Sequence, residues 1–175
     1  KHAILARVLM HMNAKDAAGF VVDALSDGEE KVRHQAISLM EHDVWLTAEP
    51  LKRLLLFLKE KMSKKDISSG EATMISGLLR ATGKNKDYPD KASLENEIIA
   101  MASGLMHEGR GLLKFIKSEP GREQQDILSA CAWVLGRIGG IKSREFLKTI
   151  SGGDTLLSHA ALQAIDELNK RSLNK

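Results

Sequence analysis

The sequence contains very little cysteine, since Cys131 is the only one in 175 residues. One cysteine cannot form an intramolecular disulfide, which fits a reducing compartment, and we expect a cytoplasmic protein. Cys131 falls on the apolar stripe of a predicted helix, and no neighbouring base or group of cations marks it as a nucleophile. We therefore interpret it as a small buried apolar residue.

Aromatic residues, proline and long apolar runs are scarce as well. Aromatic residues make up 4% of the chain and prolines number 3, so the core must be aliphatic. Leu, Ile, Ala and Met suit helix–helix packing better than a sheet, and no segment alternates Val, Thr and Ile as a strand does. No signal peptide is visible, and no apolar run approaches the roughly 18 residues of a membrane-spanning helix. These features predict an all-α protein without a membrane segment.

The excess of positive charge is small, with 26 Lys and Arg residues against 23 Asp and Glu residues and a formal charge of +3. Nucleic-acid binding usually needs basic residues concentrated on one face, so this excess is more typical of a solvated surface. The length suits one sizeable core or a short array of repeats. Because the chain begins at Lys1 and not at methionine, we expect residues 1–175 to be a single repeat domain from a longer protein.

A recurring helical pattern is what the sequence does contain, and it is clearest in residues 127–140. Four apolar residues there have the i, i+4, i+7, i+8 spacing of a helix that faces a core: Ile127, Cys131, Val134 and Leu135. Gly136, beside this stripe, should let a neighbouring helix come close. Gly139 and Gly140 are expected to end the helix in the left-handed conformation of a C-terminal cap. A second helix, predicted at 144–150, completes an αα-hairpin.

The same spacing occurs twice more, in Val32, Ala36, Leu39 and Met40, and in Leu157, Ala161, Ala164 and Ile165. Apolar periodicity predicts further helices at 2–12, 15–25, 30–41, 48–60, 69–81, 109–117 and 155–170, and one more that starts at Asp90 or Ser93 and runs to residue 105. Helical hairpins that repeat every 30 to 47 residues or so are typical of an α-solenoid. We therefore predict about five stacked antiparallel helix hairpins.

The predicted helix ends rest on capping and breaking residues. Asp27 and Glu30 have the spacing of a capping box at the start of the helix over 30–41. Gly83 should end the helix that begins at residue 69. The polar residues 61–68 are predicted to form a loop, and residues 171–175 a frayed tail.

The residues of these hairpins resemble HEAT repeats. The segment Asp27-Gly-Glu-Glu-Lys-Val32-Arg33-His-Gln-Ala36-Ile-Ser-Leu39 is similar to the first helix of such a repeat, in which Asp is followed by Val-Arg, Ala and Leu. The segments 130–139 and 154–165 resemble the short HEAT-like repeats of phycobilin lyases. Residues 1–25 and 67–118 share only the helical periodicity. The resemblance implies an armadillo-type superhelix in which one helix of each pair lines a concave face, and it implies no reaction.

Enzymes that are built from HEAT-like repeats need residues that this sequence lacks. Deoxyhypusine hydroxylase binds two irons through several His-Glu pairs, whereas this chain has the single pair His107-Glu108. HEAT-like DNA glycosylases need an aromatic platform with a carboxylate, and no acidic residue accompanies Trp45 or Trp133 in a way that predicts one. A phycobilin lyase needs a tetrapyrrole cleft, which the repeat motif alone does not indicate. We predict no catalytic residue, no cofactor and no metal site.

A curved helical surface that binds a partner is therefore the expected function. We predict a non-catalytic protein–protein interaction or scaffold module. Five basic residues on the second helices of hairpins are candidate contacts for an acidic segment of a partner protein: Lys52, Lys59, Lys142, Arg144 and Lys148. The alternative is nucleic-acid binding by the same residues on a basic concave face.

Overall fold

The computed structural model describes residues 14–42, 46–84, 90–108 and 120–173, and every regular element in these ranges is an α-helix. The helices are α1 (Ala14–Ala24), α2 (Glu30–His42), α3 (Ala48–Met62), α4 (Ser69–Lys84), α5 (Lys91–Glu108), α6 (Arg122–Ile138), α7 (Ile141–Ile150) and α8 (Leu156–Leu173). The predicted all-α class is thus confirmed for these residues. None of these helices has the length and apolar character to cross a membrane. The helices predicted at 2–12 and 109–117 lie outside the described residues.

The backbone divides into two compact units, Lys1–Phe57 and Leu58–Lys175, with the boundary inside α3. In the first unit α1 packs against α2. The buried side chains of these two helices include Ala18, Val21, Val22, Val32, Ala36 and Met40. Arg53 of α3 forms an ion pair with Asp23 of α1. The prediction of one repeat domain over residues 1–175 stays a prediction.

The turn before α2 differs from the predicted capping box. The Asp27 carboxylate accepts a hydrogen bond of 2.8 Å from the amide of Glu29, and the helix begins only at Glu30. Asp27 therefore closes a tight turn ahead of the helix, so the predicted box was wrong. The guanidinium of Arg33 donates to the carbonyl oxygens of Asp27 and Gly28, at 2.7 and 3.0 Å. Arg33, which follows Val32, thus holds this turn against its helix.

The second unit arranges its helices in two sets. Helix α6 packs against both α4 and α8, while α5 contacts α7, so that consecutive helices alternate between the sets. Contacts of α5 with α6, and of α7 with α6 and α8, join the two sets. The core between them is aliphatic and includes Ile75, Leu78, Leu79, Ile98, Leu105, Leu128, Leu147 and Leu168. Helix α6 lies at the centre of this unit.

The predicted stripe of α6 is confirmed, because Ile127, Cys131, Val134 and Leu135 are all fully buried. Gly136 also does what its position predicted. A Cβ atom on Gly136 would lie 2.9 Å from both Cα and Cβ of Ala164, which is closer than packed side chains approach. The missing side chain therefore lets α6 and α8 approach at the level of their backbones.

The predicted left-handed cap after α6 was wrong. Gly139 has φ −71° and ψ 175°, and Gly140 has φ −130° and ψ −138°, so neither adopts that conformation. Gly139 is instead needed for space, because a Cβ there would lie 2.0 Å from Oγ of Ser143. Helix α7 follows at once, beginning at Ile141 and not at residue 144.

A carboxylate from another helix caps the N-terminus of α7. Oε1 of Glu95, on α5, accepts hydrogen bonds from the amides of Gly140 and Ser143 at 2.8 and 2.7 Å. Burial of Glu95 raises the pKa of its carboxyl, but these hydrogen bonds outweigh burial and hold the pKa below its ordinary value. Gly140 has no side chain for this role, so α5 supplies the cap.

Several helices continue past their predicted ends, among them α3, α4 and α8. Helix α3 runs to Met62, inside the predicted loop, and Met62 is buried. Helix α4 passes through Gly83 and ends at Lys84. Helix α8 runs to Leu173, because Arg171 of its last turn donates hydrogen bonds to carbonyl oxygens at the end of α6, at 3.3 and 3.5 Å. Contacts with other helices extend these elements beyond the local stop signals.

Candidate functional site

The outward side of α6 faces a groove on the surface of the second unit. Ser129, Trp133, Gly136 and Arg137 lie on this side at helical spacing, offset from the buried stripe. Helix α8 forms the opposite wall, and α4 contributes one residue. The groove has a volume of about 590 Å³. We call it the Trp133 groove and define it by Arg80, Trp133, Arg137, Gln163, Asp166 and Lys170.

Trp133 is fixed against the end of α4. A Cβ atom on Gly83 would lie 2.7 Å from Cζ3 of the Trp133 ring, so only glycine leaves room for the indole at this position. The tryptophan is 36% exposed. It therefore rests on a neighbouring helix and still offers part of a large, rigid side chain at the surface.

Arg137 stacks on this tryptophan from the next turn of α6. Its guanidinium carbon lies 4.7 Å from the centre of the Trp133 ring, a cation–π distance. Its Nε donates a hydrogen bond of 3.0 Å to the carbonyl oxygen of Gly83. A positive charge is favourable there, because the last turn of α4 carries the negative end of the helix dipole. Trp133 and Arg137 thus form a pre-arranged pair on the groove wall.

The single cation on the α8 wall is paired with two carboxylates, which leaves this wall with an excess of one negative charge. Nζ of Lys170 lies 2.6 Å from Oδ2 of Asp166 and 3.5 Å from Oε1 of Glu167. The hydrogen bond and charge of Asp166, followed by the charge of Glu167, raise the pKa of Lys170. All three side chains are exposed, so the pairs contribute little to stability. Because Lys170 is paired in this way, the α8 wall has no unpaired cation.

Arg80 is different, because it is exposed on α4 at the groove and has no hydrogen-bond or ion-pair partner among the described residues. Gln163, on α8, is likewise exposed and forms no such bond with them. The groove therefore combines a partly exposed aromatic ring, an unpaired guanidinium and an unpaired amide. These groups can bind a ligand that has both apolar surface and a planar anion.

Two of the predicted basic residues lie on α3. Lys52 and Lys59 are both exposed, and their separation of seven residues places them on the same side of that helix. The other three are on α7. Lys142 is exposed in its first turn and donates a hydrogen bond of 3.0 Å to Oδ1 of Asn96 on α5.

Helix α7 does not present its three basic residues as one row. Arg144 and Lys148 are four residues apart and share a side of the helix, with Arg144 half-buried and Lys148 exposed. Lys142 precedes Arg144 by two residues, so helical geometry turns it to another side. The role of these residues in binding stays a prediction.

The sequence marks Trp133 as a candidate for aromatic stacking, but it does not reveal the groove. One signal was available, since Arg137 follows Trp133 by four residues and such pairs meet on a helix surface. The remaining residues come from helices at 69–84 and 156–173. No spacing within the sequence links those segments.

The chemistry of the buried groups is simple in the described part of the chain. Burial raises the pKa of the Cys131 thiol to about 12, so this cysteine is protonated and enclosed. Among the side chains that the structure describes, in residues 17–40, 46–84, 90–106 and 120–173, no group of three or more His, Cys, Asp and Glu is suited to a metal ion. The side chains of the His107-Glu108 pair and of Trp45 lie outside the described residues.

Comparisons of the chain with models of known protein families, with curated proteins and with solved structures found no match.

Proposed function

We propose that the chain is a non-catalytic protein-binding module whose helix hairpins stack as HEAT-like repeats in an α-solenoid. The alternation of α4, α6 and α8 with α5 and α7 supports the solenoid, because each set of helices then forms a continuous face. The segments that resemble HEAT repeats lie on α2, α6 and α8, which also supports a solenoid of such repeats. A cytoplasmic location is part of this proposal and rests on the single buried cysteine.

The observation that carries the protein-binding function is the fixed pair of Trp133 and Arg137 at the surface. Tryptophan and arginine are the residue types that most often dominate the free energy of protein–protein binding. Gly83 holds both side chains in place, because it packs against the Trp133 ring and its carbonyl oxygen accepts a hydrogen bond from Arg137. A partner would therefore meet a surface whose side chains are already ordered, which lowers the entropic cost of association.

The five basic residues predicted from the sequence remain candidates for additional contacts with an acidic partner segment. Nucleic-acid binding through them has less support. Lys142 is bonded to Asn96 and points to a different side of α7 from Arg144 and Lys148, so these cations do not form a continuous track for phosphates.

The test is to identify what the full 175-residue chain retains from an extract of the cells that make it. The immobilised chain and its Trp133→Ala and Arg122→Ala variants would be compared at about 0.15 M and about 0.5 M salt. We expect one protein to be retained by the wild-type chain and by Arg122→Ala, whose exposed arginine does not line the groove, and to be lost with Trp133→Ala. The purified protein should then bind the chain saturably in isothermal titration calorimetry.

A different result would contradict the proposal. Retention of nucleic acid alone, with an affinity that falls steeply as salt increases, would show that the alternative function is correct. Circular dichroism of Trp133→Ala would first establish that this variant keeps its helices.

A further inference from the structure

We infer that the Trp133 groove binds an extended, acidic segment of a partner protein, in which a carboxylate contacts Arg80 and an adjacent apolar side chain packs on Trp133. This inference rests on the proposed protein-binding function and adds the chemistry and location of the partner segment. It differs from the site predicted from the sequence, which lies on α3 and α7.

The charged groups that a ligand can reach in the groove are guanidinium groups, which are positive and planar. Arg80 has no partner among the described residues. Among the described residues, Arg137 forms a hydrogen bond only through Nε, which donates to Gly83. Its two Nη atoms have no hydrogen-bond partner among these residues. Guanidinium groups present parallel N–H donors that match the two oxygens of a carboxylate. The groove therefore favours an isolated carboxylate beside apolar surface.

The α8 wall makes a protein segment a better ligand than a nucleic acid. Asp166 and Glu167 lie on that wall and are held by Lys170. A nucleic-acid backbone carries a negative charge at every phosphate and would bring some of them against these two carboxylates. A peptide can place a carboxylate at Arg80 and a neutral or basic residue opposite Asp166.

The floor of the groove is made by small residues. Gly136 and Ala164 allow α6 and α8 to approach closely, and together with Ala160 they line the groove beneath the larger side chains. A main chain in extended conformation can lie over such a floor while its side chains reach the walls on either side. The volume of about 590 Å³ is within the range of roughly 300 to 1,000 Å³ that is common for binding pockets.

The test is selection from a phage-displayed library of random twelve-residue peptides against the full chain. We expect the selected peptides to be enriched in Asp or Glu next to an aliphatic or aromatic residue. Synthetic copies should bind about tenfold more weakly to Arg80→Ala than to wild type, because a charge-assisted hydrogen bond is lost. Arg80→Lys, which keeps the charge but not the planar donors, should fall between them. Arg122→Ala, which removes an exposed arginine of α6 that does not line the groove, is the matched control and should bind as wild type does.

Tryptophan fluorescence provides an independent readout. The chain has 2 tryptophans, so in a Trp45→Phe background the emission comes from Trp133 alone. Titration with a selected peptide should change this emission, and the same titration of the Arg80→Ala variant should be shifted to about tenfold higher peptide concentration.

Four outcomes would overturn this inference: no selected peptide, selection of basic or uncharged peptides, equal affinity for Arg80→Ala, or unchanged Trp133 emission on binding. If the protein retained from extract still binds wild type and Arg80→Ala equally, the acidic-segment inference fails while the protein-binding function stands. If duplex DNA binds in place of any protein or peptide, both fail.

Discussion

Glu95 and Gly140 are 45 residues apart, and the carboxylate of one accepts a hydrogen bond of 2.8 Å from the amide of the other. A second bond, from the amide of Ser143, makes Glu95 the cap of α7 although it belongs to α5. Gly140 is the residue just before α7 and Ser143 lies in its first turn, so neither amide has an acceptor within the helix. This pair thus fixes where α7 begins relative to α5.

Glu95→Ala should lower the free energy of unfolding by about 1–2 kcal/mol, because two amides lose an ionised acceptor. The change can be measured by urea denaturation. Hydrogen exchange should localise the effect, with faster exchange at the amides of Gly140 and Ser143. Glu97→Ala, an exposed position on the same helix, is the control and should change neither measurement. Equal stability of Glu95→Ala and Glu97→Ala would show that the cap contributes nothing.

Gly136→Ala should destabilise the second unit by about 1–3 kcal/mol, since a methyl group there would meet the backbone of Ala164. Gly104→Ala is the matched control. Gly104 is exposed on α5 and a Cβ there would have nothing within 4 Å, so the better helix propensity of alanine should stabilise the chain by about 0.5–1 kcal/mol. Thermal unfolding of both variants shows whether each substitution lowers or raises the stability. A stabilising Gly136→Ala would mean that α6 and α8 are further apart than described.

Because of Glu71, the free energy of unfolding should vary with pH in the acidic range. A hydrogen bond from Lys64, followed by those from Ser68, lowers the pKa of Glu71 from 4.5 to about 2. The folded state therefore binds this proton less readily than the unfolded state, so the stabilisation is complete above pH 4.5 and is lost as the pH falls towards 2.

The measurement is the difference in unfolding free energy between wild type and Glu71→Gln at several pH values from 6 to about 2.5. Taking the difference removes the contributions of other carboxylates that titrate in this range, Glu95 among them. The wild type should be more stable at pH 6, and its advantage should shrink below about pH 4.5. An advantage that is constant across this range would mean that the pKa of Glu71 is unchanged by folding.

The thiol of Cys131 should be unreactive in the folded protein. It is fully buried, and burial raises its pKa to about 12, so almost no thiolate is present at pH 8. Reaction with Ellman's reagent should be slow in buffer and should reach one equivalent per chain in 6 M guanidinium chloride, as one cysteine requires. Rapid and complete reaction in buffer would contradict the packing of α6.

Much of the helical architecture could be predicted from the sequence, because burial follows the 3.6-residue period. The stripe of α6 and the close approach at Gly136 were both predicted correctly. The helix ends were predicted less well. Arg171 and Glu95 act on residues far along the chain, and local stop signals such as Gly83 are overridden by contacts of this kind.

The candidate site could be predicted only in part for the same reason. The pair of Trp133 and Arg137 follows from their spacing on one helix. Arg80 and Asp166 are added by the packing of α4 and α8 against α6, which no local pattern specifies. Closeness in sequence, conversely, does not place residues on one surface. The basic residues of α7 are neighbours in the chain, but Lys142 is turned away from Arg144 and Lys148.

Hydroxyl-radical footprinting of the full chain, alone and in complex with the protein that it retains, tests directly whether the partner covers the Trp133 groove. Mass spectrometry would follow oxidation of Trp133, which is 36% exposed, and of Leu156, which is 77% exposed on α8 but does not line the groove. We predict that binding lowers the oxidation of Trp133 several-fold and leaves that of Leu156 unchanged. Unchanged oxidation of Trp133 in a saturated complex would show that the partner binds another surface, and the role assigned to the groove would be wrong.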